Sequence, residues 1–154
     1  MSSIMNKIIV WGGTGNYKVV KEIIESNSQQ IIAIFDNNAS LKNPFPEIPF
    51  IGGKDSFPQW INNQDASELN CVVAIGGKYG RDRIEIQNFL CQYGVKPLTI
   101  QHRTSYVSPT AILGEGTQVY AMASVCTEVE TGKACIINTS ASIDHECILG
   151  DVFL

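Results

Sequence analysis

One histidine of the sequence stands between two carboxylates, in Asp144-His145-Glu146, and this grouping could act as a general base. A neutral imidazole can take the proton from an attacking amine or hydroxyl, because its pKa lies close to neutral pH. A neighbouring carboxylate can orient the ring and stabilise the imidazolium that forms. The alternative is a solvated surface histidine with no chemical role.

A glycine-rich loop could bind a phosphate group. Residues 12–15, Gly-Gly-Thr-Gly, follow a short apolar run and precede a helical pattern. Backbone N–H groups in such a loop can approach a phosphate at the N-terminus of the helix. The loop does not contain a complete GxGxxG pattern, so the sequence does not support a dinucleotide cofactor.

Polar residues follow two further apolar runs and could contribute to the same site. Asp36 could meet a ribose or a base edge, or it could be a turn residue. Lys78 and Arg81 could bind a phosphate-bearing ligand, or they could simply be solvated. The candidate ligand-binding residues are Gly13, Thr14, Gly15, Asp36, Asn37, Gly76, Lys78 and Arg81.

The elements that position these residues alternate between strand and helix over the first hundred residues. Short apolar runs predict strands at 7–11, 31–35, 50–51, 71–75 and 98–100, and the intervening patterns predict helices after Asn16, at 55–62 and at 82–93. Strands that alternate with helices form a parallel α/β sheet with crossover connections. Ligands bind such sheets at the carboxyl ends of the strands, which is where the candidate residues fall.

A six-residue period replaces this alternation after residue 103. Aliphatic residues recur every six positions with one threonine among them, and the set is Val107, Leu113, Val119, Val125, Thr131, Ile137, Ile143 and Leu149. This period fits neither a helix nor an amphipathic strand, and it is typical of a hexapeptide β-helix with three flat faces per coil.

Glycines repeat at three times that spacing, at Gly114, Gly132 and Gly150. Three hexads make one coil, so these glycines are predicted to occupy one corner of successive coils. Either unusual dihedral angles or close approach of the backbone would require glycine there. In the same phase Ile143 points inward, and His145 is predicted to project outward.

The composition excludes several classes of protein. The 154 residues carry a net charge of −4 and a pI of about 5.1, which disfavours a nucleic-acid partner. Since the sequence has no long apolar run and its N-terminus lacks the pattern of a signal peptide, we expect no membrane association and a cytoplasmic location. Five cysteines without a CxxC motif and only two histidines predict reduced thiols and no metal site.

Several segments together resemble one known family. They are 12–15 with Lys-Val-Val at 18–20, Ser-Tyr-Val-Ser-Pro-Thr-Ala at 105–111, Gly-Glu-Gly-Thr at 114–117, Ile-Ile-Asn-Thr at 136–139 and Ile-Asp-His-Glu-Cys at 143–147. They resemble the hexapeptide-repeat sugar O- and N-acetyltransferases of the sialic-acid and bacillosamine pathway type. The resemblance implies a Rossmann-like α/β domain at 1–102 that binds a sugar nucleotide, followed by a left-handed parallel β-helix at 103–154.

The resemblance also implies an activity in surface polysaccharide biosynthesis. Acetyl-CoA would be the co-substrate, and an amine or hydroxyl of a nucleotide-activated amino sugar or sialic-acid-like sugar would accept the acetyl group. His145 would be the base and Glu146 its assistant, in a homotrimer. This sequence has Asn16 where the family usually has a histidine, and the junction residue His102 is expected to be structural.

The hexads from Val107 to Leu154 make fewer than three full coils, so the β-helix is expected to be incomplete and the chain a C-terminally truncated member. The alternative to an active enzyme is therefore a catalytically incomplete module that binds a sugar nucleotide. A β-helix that serves only assembly is a third possibility. A nicotinamide dehydrogenase is disfavoured by the incomplete glycine pattern.

Overall fold

The chain forms a parallel α/β sheet followed by a coil of very short strands, in a computed structural model that describes residues 7–154. Residues 1–6, on which part of the signal-peptide argument rests, lie outside the described residues. Within residues 7–154, no helix is both long enough and apolar enough to cross a bilayer.

Five strands make the sheet: β1 (Lys7–Trp11), β2 (Gln30–Phe35), β3 (Phe50–Gly52), β4 (Leu69–Val73) and β5 (Lys96–Pro97). They are connected by helices α1 (Gly15–Ser26), α2 (Phe57–Ile61) and α3 (Gly80–Gln92), with a 3-10 helix at Ala66–Glu68. All pairs are parallel, in the order β3-β2-β1-β4-β5. The predicted α/β alternation is confirmed.

The central strand β1 is apolar on both faces because helices cover both sides of the sheet. Ile8 and Val10 face the core that includes α1, whereas Ile9 and Trp11 face the core that includes α2 and α3. Two details differ from the sequence prediction. The helix predicted to follow Asn16 begins one residue earlier, at Gly15. The predicted strand at 98–100 overlaps the next observed strand only at Ile100, and its other two residues lie between β5 and that strand.

The second part of the chain, residues 100–154, is called the coil region. Its two-residue strands are β6 (Ile100–Gln101), β7 (Tyr106–Val107), β8 (Gln118–Val119), β9 (Ser124–Val125), β10 (Glu130–Thr131), β11 (Ile136–Ile137), β12 (Ser142–Ile143) and β13 (Ile148–Leu149). They pair in parallel as β6-β8-β11, β7-β9-β12 and β10-β13. Paired residues such as Gln118 and Ile136 are eighteen positions apart, so the strands stack in three faces, consistent with a β-helix.

The inward positions of the hexads fill the core of the coil region, where Val119, Val125, Ile137 and Ile143 are buried. All five cysteines are free thiols, and two of them, Cys71 and Cys135, are buried. The aliphatic period therefore has the predicted structural cause, which is one inward side chain for each face of each coil.

The sequence left two reasons open for glycine at every eighteenth position, namely unusual dihedral angles and close approach of the backbone, and the structure favours the second. Positive φ recurs every six residues, at Gly116, Met122, Glu128, Ala134, Ser140, Glu146 and Val152. The glycines at 114, 132 and 150 are not in that set. An added Cβ at Gly114 would fall on the Gly132 carbonyl, so close backbone approach, rather than unusual dihedral angles, is the reason for glycine there.

Candidate functional site

A cavity of about 490 Å³ lies at the carboxyl ends of β1, β2 and β4. We call it the crevice. Its lining residues come from three loops that follow these strands and from the start of α1, as expected for an open parallel sheet. They are Trp11, Gly12, Thr14, Gly15, Asn16, Asp36, Asn37, Ala74, Ile75, Gly76, Gly77 and Tyr79.

The glycine loop is held tightly against the sheet. Gly12 has φ +108°, and a Cβ there would lie 2.5 Å from the Ala74 carbonyl oxygen. Its N–H donates to the Phe35 carbonyl at 2.7 Å. No side chain caps the N-terminus of α1 at Thr14, so its first N–H groups and the positive end of its dipole are available to an anion in the crevice.

Asp36 organises two loops of the crevice at once. Its Oδ2 accepts the Gly13 N–H at 3.0 Å, and its Oδ1 accepts the Asn38 N–H at 2.8 Å. Asp36 therefore has the turn role that the sequence left open, and it also lines the crevice. A carboxylate that accepts two backbone N–H bonds fixes the shape of the loops around it.

The other predicted ligand-binding residues divide into two groups. Thr14, Gly15, Asn37 and Gly76 line the crevice together with Asp36. The remaining three lie elsewhere. Gly13 lines an adjoining cavity of about 360 Å³. Lys78 and Arg81 are exposed to solvent and do not line the crevice. The Lys78 ammonium lies 5.7 Å from the centre of the Tyr79 ring.

Sequence reasoning missed a buried contact between the crevice and the coil region. The Tyr120 hydroxyl lies 2.9 Å from both Asn16 Oδ1 and Gln118 Oε1. Gln118 Nε2 donates to the Val73 carbonyl at 2.8 Å. Burial raises the pKa of Tyr120 to about 12, so the hydroxyl stays neutral. The sequence signal for this contact is weak: it consists of the polar Gln118 and Tyr120 on either side of the inward Val119.

His145 projects outward from the coil region, as the hexad phase predicted. Its Nδ1 lies 2.8 Å from Glu146 Oε2, and 64% of its side chain is exposed. Its backbone N–H donates to Asp144 Oδ1 at 2.8 Å. Glu146 occupies a corner of the coil with φ +59°.

The hydrogen bond that the His145 ring donates to Glu146 is the largest cause of a raised His145 pKa, and the charge of Asp144 is the next. Because Nδ1 donates to the carboxylate in the neutral ring, Nε2 carries the lone pair and is the nitrogen able to accept a proton. This arrangement of imidazole and carboxylate suits a general base. Glu146 also lines a groove of about 440 Å³ with Thr110, Ile112, Glu128, Glu130 and Ile148.

The described residues contain no cluster of histidine, cysteine or carboxylate groups that could hold a metal ion. The crevice and the His145–Glu146 pair stand on different parts of the fold.

Comparison with known proteins gives one family and several solved structures. The model of the PglD N-terminal domain family matches residues 7–86. A variant of perosamine N-acetyltransferase from Caulobacter crescentus, with one histidine replaced by asparagine and in complex with CoA and GDP-perosamine, is 29% identical to the chain. The match covers 94% of this chain and 65% of that enzyme, with a TM-score of 0.82. In another structure of the enzyme the same histidine is replaced by alanine.

The acetyltransferase domain of PglB from Neisseria gonorrhoeae, solved with acetyl coenzyme A, is 28% identical over 95% of this chain and 68% of that domain, with a TM-score of 0.79. WeeI from Acinetobacter baumannii is 21% identical, with a TM-score of 0.77, and it shares the fold. The chain therefore spans about two thirds of the length of the structures that it matches.

Proposed function

Because the chain belongs to the PglD N-terminal domain family, we propose that it takes part in acetyl transfer from acetyl-CoA to a nucleotide-activated amino sugar or a sialic-acid-like sugar. The acetyl group would go to an amine or a hydroxyl. The observation that carries the proposal is the outward His145 with its ring bonded to Glu146 at 2.8 Å. Similar structures bind CoA with GDP-perosamine, or acetyl-CoA, which supports the same pair of substrates.

We assign the two substrates to different parts of the chain. The α/β part, proposed as residues 1–102, would hold the nucleotide in the crevice, with the diphosphate against the glycine loop and the start of α1. The proposed left-handed β-helix, residues 103–154 within the coil region, would hold acetyl-CoA. The proposed assembly is a homotrimer, in which an adjacent copy could complete the surface around His145.

Thr14, Gly15, Asp36, Asn37 and Gly76 support the nucleotide assignment because they meet in one cavity. Gly13 contributes through the N–H that it donates to Asp36. Lys78 and Arg81 are kept as proposed ligand-binding residues on charge alone, since a phosphate at the edge of the crevice would attract both side chains.

The chain's own residues would move one proton. Acetyl-CoA would supply a thioester, and the sugar amine or hydroxyl would attack its carbonyl carbon. The carbon–sulfur bond then breaks, and CoA leaves as a thiol after it takes up the proton that the nucleophile lost. Nε2 of His145 accepts the proton of the nucleophile while Glu146 stabilises the imidazolium. A backbone N–H group of the coil near the thioester would stabilise the charge that develops on the carbonyl oxygen.

A second candidate is a module that binds a sugar nucleotide without transferring an acetyl group. The crevice is formed entirely by residues 11–79, whereas the chain spans 65% of the length of the similar N-acetyltransferase. The experiment is to measure thiol release from acetyl-CoA with a panel of amino-sugar nucleotides and sialic acids. Release with one acceptor supports transfer. Thermal stabilisation by a sugar nucleotide without release supports the binding module, and neither effect would refute both candidates.

The pH dependence of transfer should report the contact between His145 and Glu146. The base must be neutral, so its raised pKa places the acid limb of kcat/KM above the pH expected for an ordinary histidine. In Glu146→Gln the charge is lost, the pKa of His145 falls, and the acid limb moves to lower pH. Asp144→Asn should move the limb less, because Asp144 is the smaller cause. An acid limb that stays in place in Glu146→Gln would contradict the assignment.

Asp36 should control nucleotide affinity through the loops that it holds. Asp36→Ala removes the acceptor of two backbone N–H groups, and we expect the Kd for a nucleoside diphosphate to rise about tenfold. Asp36→Asn retains one oxygen as an acceptor, and its Kd should lie between those of Asp36→Ala and the wild type. Glu22→Ala, which removes an exposed carboxylate on α1, is the matched control for charge. Titration calorimetry measures all four proteins, and equal affinities for Asp36→Ala and Glu22→Ala would refute the role.

A further inference from the structure

Helix α3 lies along one corner of the coil region and contacts successive coils. Gln87 Nε2 donates to the Glu115 carbonyl at 3.0 Å. One turn earlier, Arg83 Nε donates to the Ala134 carbonyl at 2.7 Å and one of its terminal nitrogens donates to Val152 at 3.1 Å. Glu115 precedes the corner residue Gly116, and Ala134 and Val152 are the corner residues eighteen and thirty-six positions later. A single helix therefore holds three levels of the coil.

Arg83 also reaches the crevice. Its other terminal nitrogen donates to the Ile75 carbonyl at 2.7 Å, and Ile75 is a lining residue. The side chain has no exposed surface. It therefore joins three segments, α3, the loop after β4 and the coil corner, through backbone carbonyls alone.

A buried guanidinium is expensive unless its N–H groups are satisfied. Among the described residues no carboxylate forms a salt bridge with Arg83, and neutral carbonyls accept from three of its nitrogens. The planar guanidinium holds these acceptors in fixed relative directions, which a lysine ammonium cannot do. The cost of burying the Arg83 guanidinium is therefore offset only when the three segments hold their carbonyls in the positions that its N–H groups reach.

The wall of the crevice formed by residues 75–77 contains two glycines and is therefore costly to hold in one conformation. Gly76 and Gly77 follow Ile75, and Gly77 has φ +57°. Two consecutive glycines have more conformational freedom than other residues, and ordering them has a larger entropic cost. A fixed Ile75 carbonyl limits that freedom at the start of the loop.

We infer that Arg83 is a positioning residue for nucleotide binding, because it holds the 75–77 wall of the crevice in register with the coil region. The inference deepens the proposed function and rests on it for the identity of the ligand. Arg83 itself does not line the crevice, so it acts through the Ile75 carbonyl and the loop that follows.

Gln87 provides a matched control. It is on the same helix and is also buried, and it bonds to the same corner of the coil, but its side chain does not hydrogen-bond the Ile75 carbonyl. Arg83→Met and Gln87→Met therefore both weaken the docking of α3, and only Arg83→Met releases Ile75. Arg83→Lys retains the charge and can satisfy only part of the geometry.

The test has one readout without ligand and one with it. Amide hydrogen exchange at residues 75–79 is expected to rise about tenfold or more in Arg83→Met and less in Arg83→Lys, with a change below twofold in Gln87→Met. The Kd for GDP or UDP, whichever the wild type binds, should follow the same order, with a fivefold to tenfold increase in Arg83→Met.

Equal exchange and equal affinity in Arg83→Met and Gln87→Met would overturn the inference, because Arg83 would then only dock the helix. Unchanged exchange at 75–79 in both Arg83 variants would overturn it as well. If Arg83→Met does not fold, the comparison of Arg83→Lys with Gln87→Met decides the question. If the wild type binds neither nucleotide, the proposed function fails while the exchange readout still decides the positioning role.

Discussion

Replacing His145 by alanine is expected to lower the rate of acetyl transfer by about 10²- to 10⁴-fold, the range that a positioned general base contributes. The reason is specific to this side chain. Its Nδ1 is bonded to Glu146 at 2.8 Å, so Nε2 is left to accept a proton from the attacking sugar. The exposed position of His145 means that the substitution leaves no cavity in the coil core, and the fold should be preserved.

The second histidine of the chain provides the control. His102 Nδ1 is bonded within its own turn to the Thr104 hydroxyl, at 2.8 Å. His102→Ala should therefore change the transfer rate less than threefold. Thiol release from acetyl-CoA measures both variants. Comparable rates for His145→Ala and the wild type would rule out His145 as the base, and affinity for nucleotide should be equal in all three proteins because the histidines lie outside the crevice.

The fold was accessible from the sequence because its two parts have different periods. Strands buried on both faces produce short apolar runs such as 7–11, and helices separate them. In the coil region a single inward side chain per face produces a period of six, and the pairing of Gln118 with Ile136 reproduces the eighteen-residue coil. Both periods are set by residues close together along the chain, so a single sequence is enough to recognise them.

The contacts between the two parts could not be predicted in the same way. The sequence predicts a helix at 82–93, but nothing in its pattern predicts that the polar Arg83 and Gln87 of α3 are buried together with Ile86 and Leu90. Their burial depends on carbonyl groups of corners that lie up to 69 positions further along the chain. No periodicity of α3 encodes the location of those acceptors.

The location of the candidate site, at the carboxyl ends of the strands, could be predicted from the sequence. Because parallel strands end at one edge, Asp36 and Gly76 could be expected to meet, and both line the crevice. Side-chain direction was not predictable, since Lys78 and Arg81 are near in sequence and yet turn to solvent. The link between Asn16 and Tyr120 joins residues 104 positions apart and depends on how the coil packs against the sheet.

The glycines that repeat every eighteen residues in the coil, at 114, 132 and 150, give the second large effect. In Gly114→Ala the added methyl would overlap the Gly132 carbonyl, which belongs to the backbone of the next coil and cannot move without disturbing its strand. We expect a loss of about 3 kcal/mol in the free energy of unfolding, at the upper end of the usual cost of overpacking. For a chain of this size that corresponds to a fall in Tm of about 6–12 °C.

Gly150→Ala is the matched comparison, because it is the same substitution at the same corner with no atom within 4 Å of the added Cβ. Neither glycine has a positive φ, so alanine is not strained at either position by its backbone conformation. Gly150→Ala should be neutral, or stabilising by up to about 1 kcal/mol, through the lower entropy of its unfolded chain. A loss of stability at Gly114 without a loss at Gly150 in calorimetry would show that glycine at 114 allows the close approach of the next coil. Equal losses at Gly114 and Gly150 would refute the steric explanation.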